Sequence, residues 1–154
     1  MSNKQYGFIP SRSTMDTVKW VIEKVQKSTA KYVLLISLDI SGAFDNAWWP
    51  SIAQFLREMK CPRNLYWLLA SFFKDRRIQY RMNETKVEKT VQRGCPQGSK
   101  AGPKCWNIII NDLLRSIVRD KVDLISYADD TAVIIEGNSR CELEMIAKEV
   151  LEKI

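Results

Sequence analysis

Ile125-Ser126-Tyr127-Ala128-Asp129-Asp130-Thr131-Ala132-Val133-Ile134-Ile135 sets two adjacent carboxylates between two apolar runs. Val122 to Ala128 and Thr131 to Ile135 are rich in branched and aromatic residues, the composition of strands. Asp129 and Asp130 fall at the joint, so the simplest structure is a hairpin with acids at its tip. Aspartate is also an ordinary turn residue, because its side chain bonds local backbone and tolerates unusual dihedrals. Two acids at one tip repel each other, and a cation between them removes the repulsion. Oxygen-only donors of this kind suit a hard divalent ion such as Mg²⁺. The rest of the chain has to decide between a turn and a metal site.

A second acid lies upstream in a similar setting. Tyr32 to Leu38 is a near-continuous apolar run, which reads as a strand buried on both faces. It ends in Asp39, and Gly42 then lets the chain turn sharply within Ile40-Ser41-Gly42-Ala43-Phe44-Asp45. Ligand-binding groups are often found at such strand ends. If the long strand pairs with the hairpin, Asp39 comes close to Asp129. Carboxylates so shared can bridge two metals about 3.5–4 Å apart, which clamp both oxygens of an in-line phosphoryl displacement.

The other elements follow from periodicity and caps. Ser13 with Asp16 resembles a helix N-cap, and Met15, Val18, Val21, Ile22 and Val25 then keep helical spacing, expected to be a core face. Pro50 fits the start of a helix with Ile52, Phe55, Leu56 and Met59 on one face; Leu65, Leu68, Leu69 and Phe72 mark another. Ile78, Tyr80 and Met82 alternate with polar residues, as Val87, Lys89 and Val91 do more loosely, so Asn83-Glu84-Thr85 predicts a hairpin turn. That hairpin carries Arg76, Arg77, Arg81, Lys86, Lys89 and Arg93, with Glu84 and Glu88 diluting the charge. It reads equally as a solvated face or as a strip touching phosphates.

Gly94, Gly98 and Gly102 with Pro96 and Pro103 shape a loop through Arg93-Gly94-Cys95-Pro96-Gln97-Gly98-Ser99-Lys100-Ala101-Gly102-Pro103. A helix follows on Trp106, Ile109, Ile110, Leu113, Leu114 and Ile117. Ser139 and Glu142 make a capping box for a last helix carrying Leu143, Ile146, Ala147, Val150 and Leu151. A strand beside a hairpin with helices covering one face is an α+β layer arrangement.

Composition narrows the chemistry. The 154 residues are 45% hydrophobic, enough for a packed core, with a net charge of +6 that permits a polyanionic partner without establishing one. Histidine is absent, and Cys61, Cys95, Cys105 and Cys141 include no close pair. Zinc-finger spacing and any histidine-based triad or general base are thereby excluded. Reduced thiols, the missing apolar leader and the lack of any apolar run near 18–20 residues point to an intracellular protein with no membrane partner, and nucleus and cytoplasm are the expected locations.

Four blocks, in order, resemble the reverse transcriptase family, most closely that of non-LTR (LINE-type) retrotransposons. They are Gln5-Tyr6-Gly7-Phe8-Ile9-Pro10-Ser11-Arg12-Ser13-Thr14, Leu38-Asp39-Ile40-Ser41-Gly42-Ala43-Phe44-Asp45, Arg93-Gly94-Cys95-Pro96-Gln97-Gly98-Ser99, and Tyr127-Ala128-Asp129-Asp130. The resemblance implies an α+β polymerase palm, a small antiparallel sheet with helices on one face, plus partial fingers. Residues 32–74 and 96–154 would be palm; residues 1–31 and about 75–95 would be finger-like or peripheral.

It further implies RNA-directed DNA polymerase activity, adding dNTPs to the 3′-OH of a DNA primer on an RNA template with two Mg²⁺ ions, or Mn²⁺. Asp39, Asp129 and Asp130 would be the catalytic metal ligands, joined by the backbone at Ile40. Ile40 and Ser41 would lie near the triphosphate, Phe44 would crowd out a 2′-OH, and Gln97 and Gly98 would meet the nucleotide. Arg12, Arg76, Arg77, Arg81 and Arg93 would contact nucleic acid. The family often has Arg and Gly where Ile9 and Ser11 stand, and an apolar residue at Lys104. Upstream finger segments and a thumb are not represented in the sequence. A fragment that binds nucleic acid without catalysis, or an inert remnant, is the alternative expectation.

Overall fold

The structure, a computed structural model, describes residues 2–154. Its elements run α1 (Thr14–Lys27), β1 (Tyr32–Leu38), α2 (Ala43–Asn46), α3 (Trp49–Glu58), α4 (Arg63–Phe73), β2 (Arg77–Met82) and β3 (Thr85–Thr90). Then come α5 (Gly102–Ser116), β4 (Val122–Tyr127), β5 (Asp130–Gly137) and α6 (Arg140–Leu151). Two compact units result: the residues up to Ser41 with Ile110–Ile154, and Gly42–Ile109.

In the first unit β4 and β5 form the expected hairpin, and the sheet order is β1-β5-β4, antiparallel throughout. A short parallel bridge from Gln5 to Ser126 makes the sheet mixed. Alternation along the strands sends Val122 and Leu124 of β4 and Val133 and Ile135 of β5 to one face. There they meet Leu114 and Ile117, Ile146, Ala147 and Val150 in one buried cluster, with Leu34, Ile36 and Leu38 of β1 at its margin. Thus α5 and α6 pack on one face of the sheet. Residue 5 aside, the fold is the small α+β arrangement read from the sequence.

Two expectations are corrected. β1 is not buried on both faces: it is an edge strand, and Leu35 on its far face is 52% exposed. The doubly buried strand is β5, where Val133, Ile134 and Ile135 are all at most 1% exposed. An apolar run shows that a strand can be central, but strand order depends on which partners arrive on either side. The apolar stripe of α1 is likewise not core: none of its residues is buried, and Met15 is 73% exposed. Its cap is as read, with Ser13 accepting from the Asp16 amide and Asp16 accepting from the Ser13 amide at 2.8 Å.

In the second unit, α3 and α4 pack through Ile52, Leu56 and Phe73, with Trp49 stacked on Phe73 at 5.1 Å. Trp48, by contrast, is exposed. β2 and β3 form the basic hairpin, exposed along its whole length, with Asn83 in the left-handed region at the turn (φ 52°).

Candidate active site

The hairpin tip is tighter than the sequence suggested. Tyr127 pairs with Asp130, so Asp130 opens β5 and only Ala128 and Asp129 form the turn. Of these two, Ala128 alone has a positive φ, 58°, the pattern of a type II′ rather than a type I′ turn. Just inside the turn, Ser126 and Thr131 face each other across the ladder, both buried, with their hydroxyl oxygens 2.7 Å apart. A satisfied polar pair therefore closes the apolar core directly beneath the acids.

The register of β1 on β5 brings the third acid to the same end. Leu38 is the last paired residue of β1, and its partner is Thr131. Asp39 is the next residue out on β1, as Asp130 is on β5. Asp39, Asp129 and Asp130 thus share one end of the sheet, Asp129 half-buried and the other two exposed. Every ion pair among the described residues lies elsewhere, so no lysine or arginine neutralises these three carboxylates. Their donor chemistry, hard oxygen without cationic partners, fits a divalent cation such as Mg²⁺. They do not form a closed cage: among the described residues no group of three or more Cys, Asp or Glu side chains is disposed to hold a metal ion.

The remaining candidates of the strand-end block divide between the units. Ile40 is half-buried and Ser41 exposed, both in the first unit. In the second, Gly42 takes φ 62° as the N-cap of α2, and Phe44 stacks on buried Trp106 with ring centroids 5.5 Å apart. The Phe44 carbonyl accepts from the Cys95 amide at 2.7 Å, the Ala47 carbonyl accepts from Gly94 at 2.8 Å, and the Trp49 indole donates to the Gly94 carbonyl at 2.8 Å. The Pro-Gln-Gly loop is therefore tied to the segment carrying Phe44. Gly94 could hold no side chain easily, having φ 101° and the Asp45 carbonyl 3.1 Å from where a Cβ would stand. Within the loop, the Ser99 hydroxyl donates to the Pro96 carbonyl at 2.8 Å and accepts from the Gly102 amide at 2.9 Å, starting α5. Gln97 is exposed, and open space surrounds Gly98.

The arginines differ in what they touch. Arg12 Nη1 donates to the Asn3 and Gln5 carbonyls, both at 2.6 Å, and its guanidinium lies 4.6 Å from the Tyr6 ring centre. Arg76 donates to the Phe72 carbonyl and stacks on its ring, while Arg77 pairs with Glu88 at 2.9 Å. Lys86 also reaches Glu88, at 3.4 Å. Arg81 stands opposite Lys86 in the ladder, and Arg93 is exposed beside its bridge to Trp48.

Sequence reading assigned no role to Gln5 or Gly7, yet Gln5 is 1% exposed and both lie against Ala128. The signal for them is that both open the first of the four motif blocks, with Gly7 set between two aromatics in Tyr6-Gly7-Phe8.

The family profile described as reverse transcriptase (RNA-dependent DNA polymerase) matches residues 1–154. The chain is 37% identical over 152 residues to the retrovirus-related Pol polyprotein from type-1 retrotransposable element R1 of Bradysia coprophila, covering 99% of this chain and 15% of that protein. It is 28% identical over 145 residues to the RNA-directed DNA polymerase from mobile element jockey of Drosophila melanogaster, covering 88% of this chain and 16% of that one. A solved partial Cas6-RT-Cas1–Cas2 complex aligns over 94% of this chain and 25% of its own at 21% identity, with a TM-score of 0.40. The chain spans about 15% of the length of the curated relatives it matches. No helix among the described residues is long and apolar enough to cross a membrane.

Proposed function

The chain belongs to the reverse transcriptase family, related to the Pol proteins of non-LTR retrotransposons, and on that premise we propose that it carries the catalytic acids of an RNA-directed DNA polymerase. The observation that supports this reading is the common sheet end of Asp39, Asp129 and Asp130. These three, with the backbone at Ile40, would hold two Mg²⁺ ions, or Mn²⁺. Bound there, such ions activate a primer 3′-OH and stabilise a leaving pyrophosphate. The chain's own contribution is to hold three short carboxylates on rigid strand ends. Ile40 and Ser41, next along the chain from Asp39, would lie near the triphosphate. In the second unit, Phe44 acts on the sugar and Gln97 and Gly98 on the nucleotide. Residues 32–74 and 96–154 are read as palm and residues 1–31 and 75–95 as finger-like.

The test is primer extension on an RNA template with Mg²⁺ and dNTPs, by this chain and by a longer polypeptide that includes it. Asp129→Asn is expected to reduce extension more than the roughly 10–100-fold that losing a mere supporting residue costs. Extension that survives the change ends the reading.

A second reading, nucleic-acid binding without catalysis, is favoured by the fully exposed β2–β3 hairpin. Arg81 and Lys86 face each other there, Arg77 opens β2, and Arg76 and Arg93 flank the hairpin. Binding through that strip should fall steeply as salt rises. Salt-insensitive binding would exclude it.

A further inference from the structure

An alanine holds the turn that carries Asp129, and it does so in the left-handed region. For an L-residue this is unfavourable, and it persists only where the surroundings hold it. Those surroundings are the amino-terminal loop. Tyr6 donates to the Ser126 carbonyl at 2.8 Å, and Ser126 donates to the Lys4 carbonyl at 2.9 Å. The loop thus runs as a second partner along the last buried residues of β4, on the edge away from β5. Between those two bonds, buried Gln5 sends its side chain to the turn itself: Nε2 donates to the Ala128 carbonyl at 3.4 Å, while Oε1 accepts from the Tyr6 amide at 3.0 Å.

Gly7 then fills the space behind the turn. A Cβ built on it would stand 2.1 Å from the Ala128 nitrogen and 2.7 Å from its Cα. Neither atom is a flexible side-chain end, so any side chain at Gly7 must displace the turn backbone. The φ of Gly7 is not positive, so the requirement for glycine here is room rather than conformation. Arg12 fastens the loop from outside through the Asn3 and Gln5 carbonyls and the Tyr6 ring.

We propose that Gln5, Gly7 and Arg12 form a strut whose work is to set the backbone of the Ala128–Asp129 turn, making them positioning residues for the Asp129 carboxylate. The proposal rests on the reading of Asp129 as a metal ligand, but its geometry can be tested without that reading. Arg12 acts by holding loop carbonyls, so its charge is turned inward, onto the chain.

The experiment compares wild type, Gly7→Ala, Gln5→Glu, Asp129→Asn and a core control, Leu124→Ala, in this chain. Two quantities are read: the amide shifts and exchange rates of residues 127–130, and Mn²⁺ affinity from water-proton relaxation. Gly7→Ala is expected to move the Ala128 and Asp129 amides and to weaken Mn²⁺ about tenfold or more. Gln5→Glu keeps an acceptor for Tyr6 but loses the donor to Ala128, so turn exchange should quicken. This second variant carries the test should Gly7→Ala fail to melt cooperatively. Leu124→Ala should lower the melting temperature and leave both readings unchanged. Turn amides and Mn²⁺ affinity at wild-type values in both loop variants would overturn the strut, as would equal shifts in the core control. If the turn moves in Gly7→Ala while wild type and Asp129→Asn bind Mn²⁺ alike, the strut stands and the metal reading falls instead.

Discussion

The hydroxyls of Ser126 and Thr131 meet 2.7 Å apart across β4 and β5, both buried, one step inside the acid-bearing turn. Each hydroxyl partners the other in a low-dielectric setting, so removing one strands the other. Thr131→Val, which keeps the shape, is expected to cost about 1–3 kcal/mol. Adding Ser126→Ala should restore part of that loss, because no hydroxyl is then left unpaired. Urea midpoints with unchanged slopes measure both effects, and additive losses in the double variant would refute the coupling.

Asp123 lies on the opposite face of β4 from Leu124 and accepts from Lys24 at 2.7 Å and Lys4 at 3.2 Å. Burial alone would raise its pKa, but the bonds from Lys24 and Lys4 outweigh burial and hold it below the ordinary 3.8. Its contribution to stability is therefore complete above that ordinary value and is lost as pH falls through the depressed folded one. Lys24 is raised above 10.5, chiefly by its bond to Asp123, so its share is present below 10.5 and lost as pH rises through the raised value. The stability gap between wild type and Asp123→Asn should be flat across neutral pH and close only below pH 3.8. Thermal melts over a pH series check this, and a gap that closes near neutrality would contradict it.

Phe44 is braced by Trp106, with its carbonyl bonded to Cys95, and this is the setting of a side chain held in one orientation. If it crowds the 2′ position of the sugar, Phe44→Val should raise ribonucleotide use relative to deoxyribonucleotide use by about 10–200-fold, the range one apolar contact supplies. The ratio of kcat/KM values for the two sugars measures it. An unchanged ratio removes Phe44 from that role.

The four thiols differ in reach: Cys141 is exposed, Cys61 half-buried, and Cys95 and Cys105 buried. A hydrogen bond between the free thiols of Cys95 and Cys105, together with burial, pushes the Cys95 thiol up, which disfavours its reactive thiolate. A maleimide should label Cys141 first and Cys95 at least about a hundredfold more slowly, the factor that a ~3 kcal/mol opening step imposes. Mass spectrometry of timed digests reads the order. Early labelling of Cys95 would show that the Pro-Gln-Gly loop opens readily.

Much of the site was legible because it is written locally. The Ser13–Asp16 capping box, the β4–β5 hairpin and the Asn83 turn depend on residues a few positions apart, and each is found where the spacing set it. At Ser139 only half of the expected box forms: Ser139 accepts from the Glu142 amide, but the Glu142 carboxylate accepts from the Asn138 amide instead. The motif blocks carried the family for the same reason: their chemistry needs fixed residue types at short spacing.

What the chain alone determined is the strands and every helix but the short α2, their apolar faces and the presence of three acids at strand ends. Only the tertiary structure decided that β5, not β1, takes the centre of the sheet, that the α1 stripe lies open, and that Leu38 pairs with Thr131. It alone brought Gly7 against Ala128 across the length of the chain. The physical reason is that periodicity reports which side of an element is apolar, whereas partner and register are settled by competition among distant segments for the same buried surface.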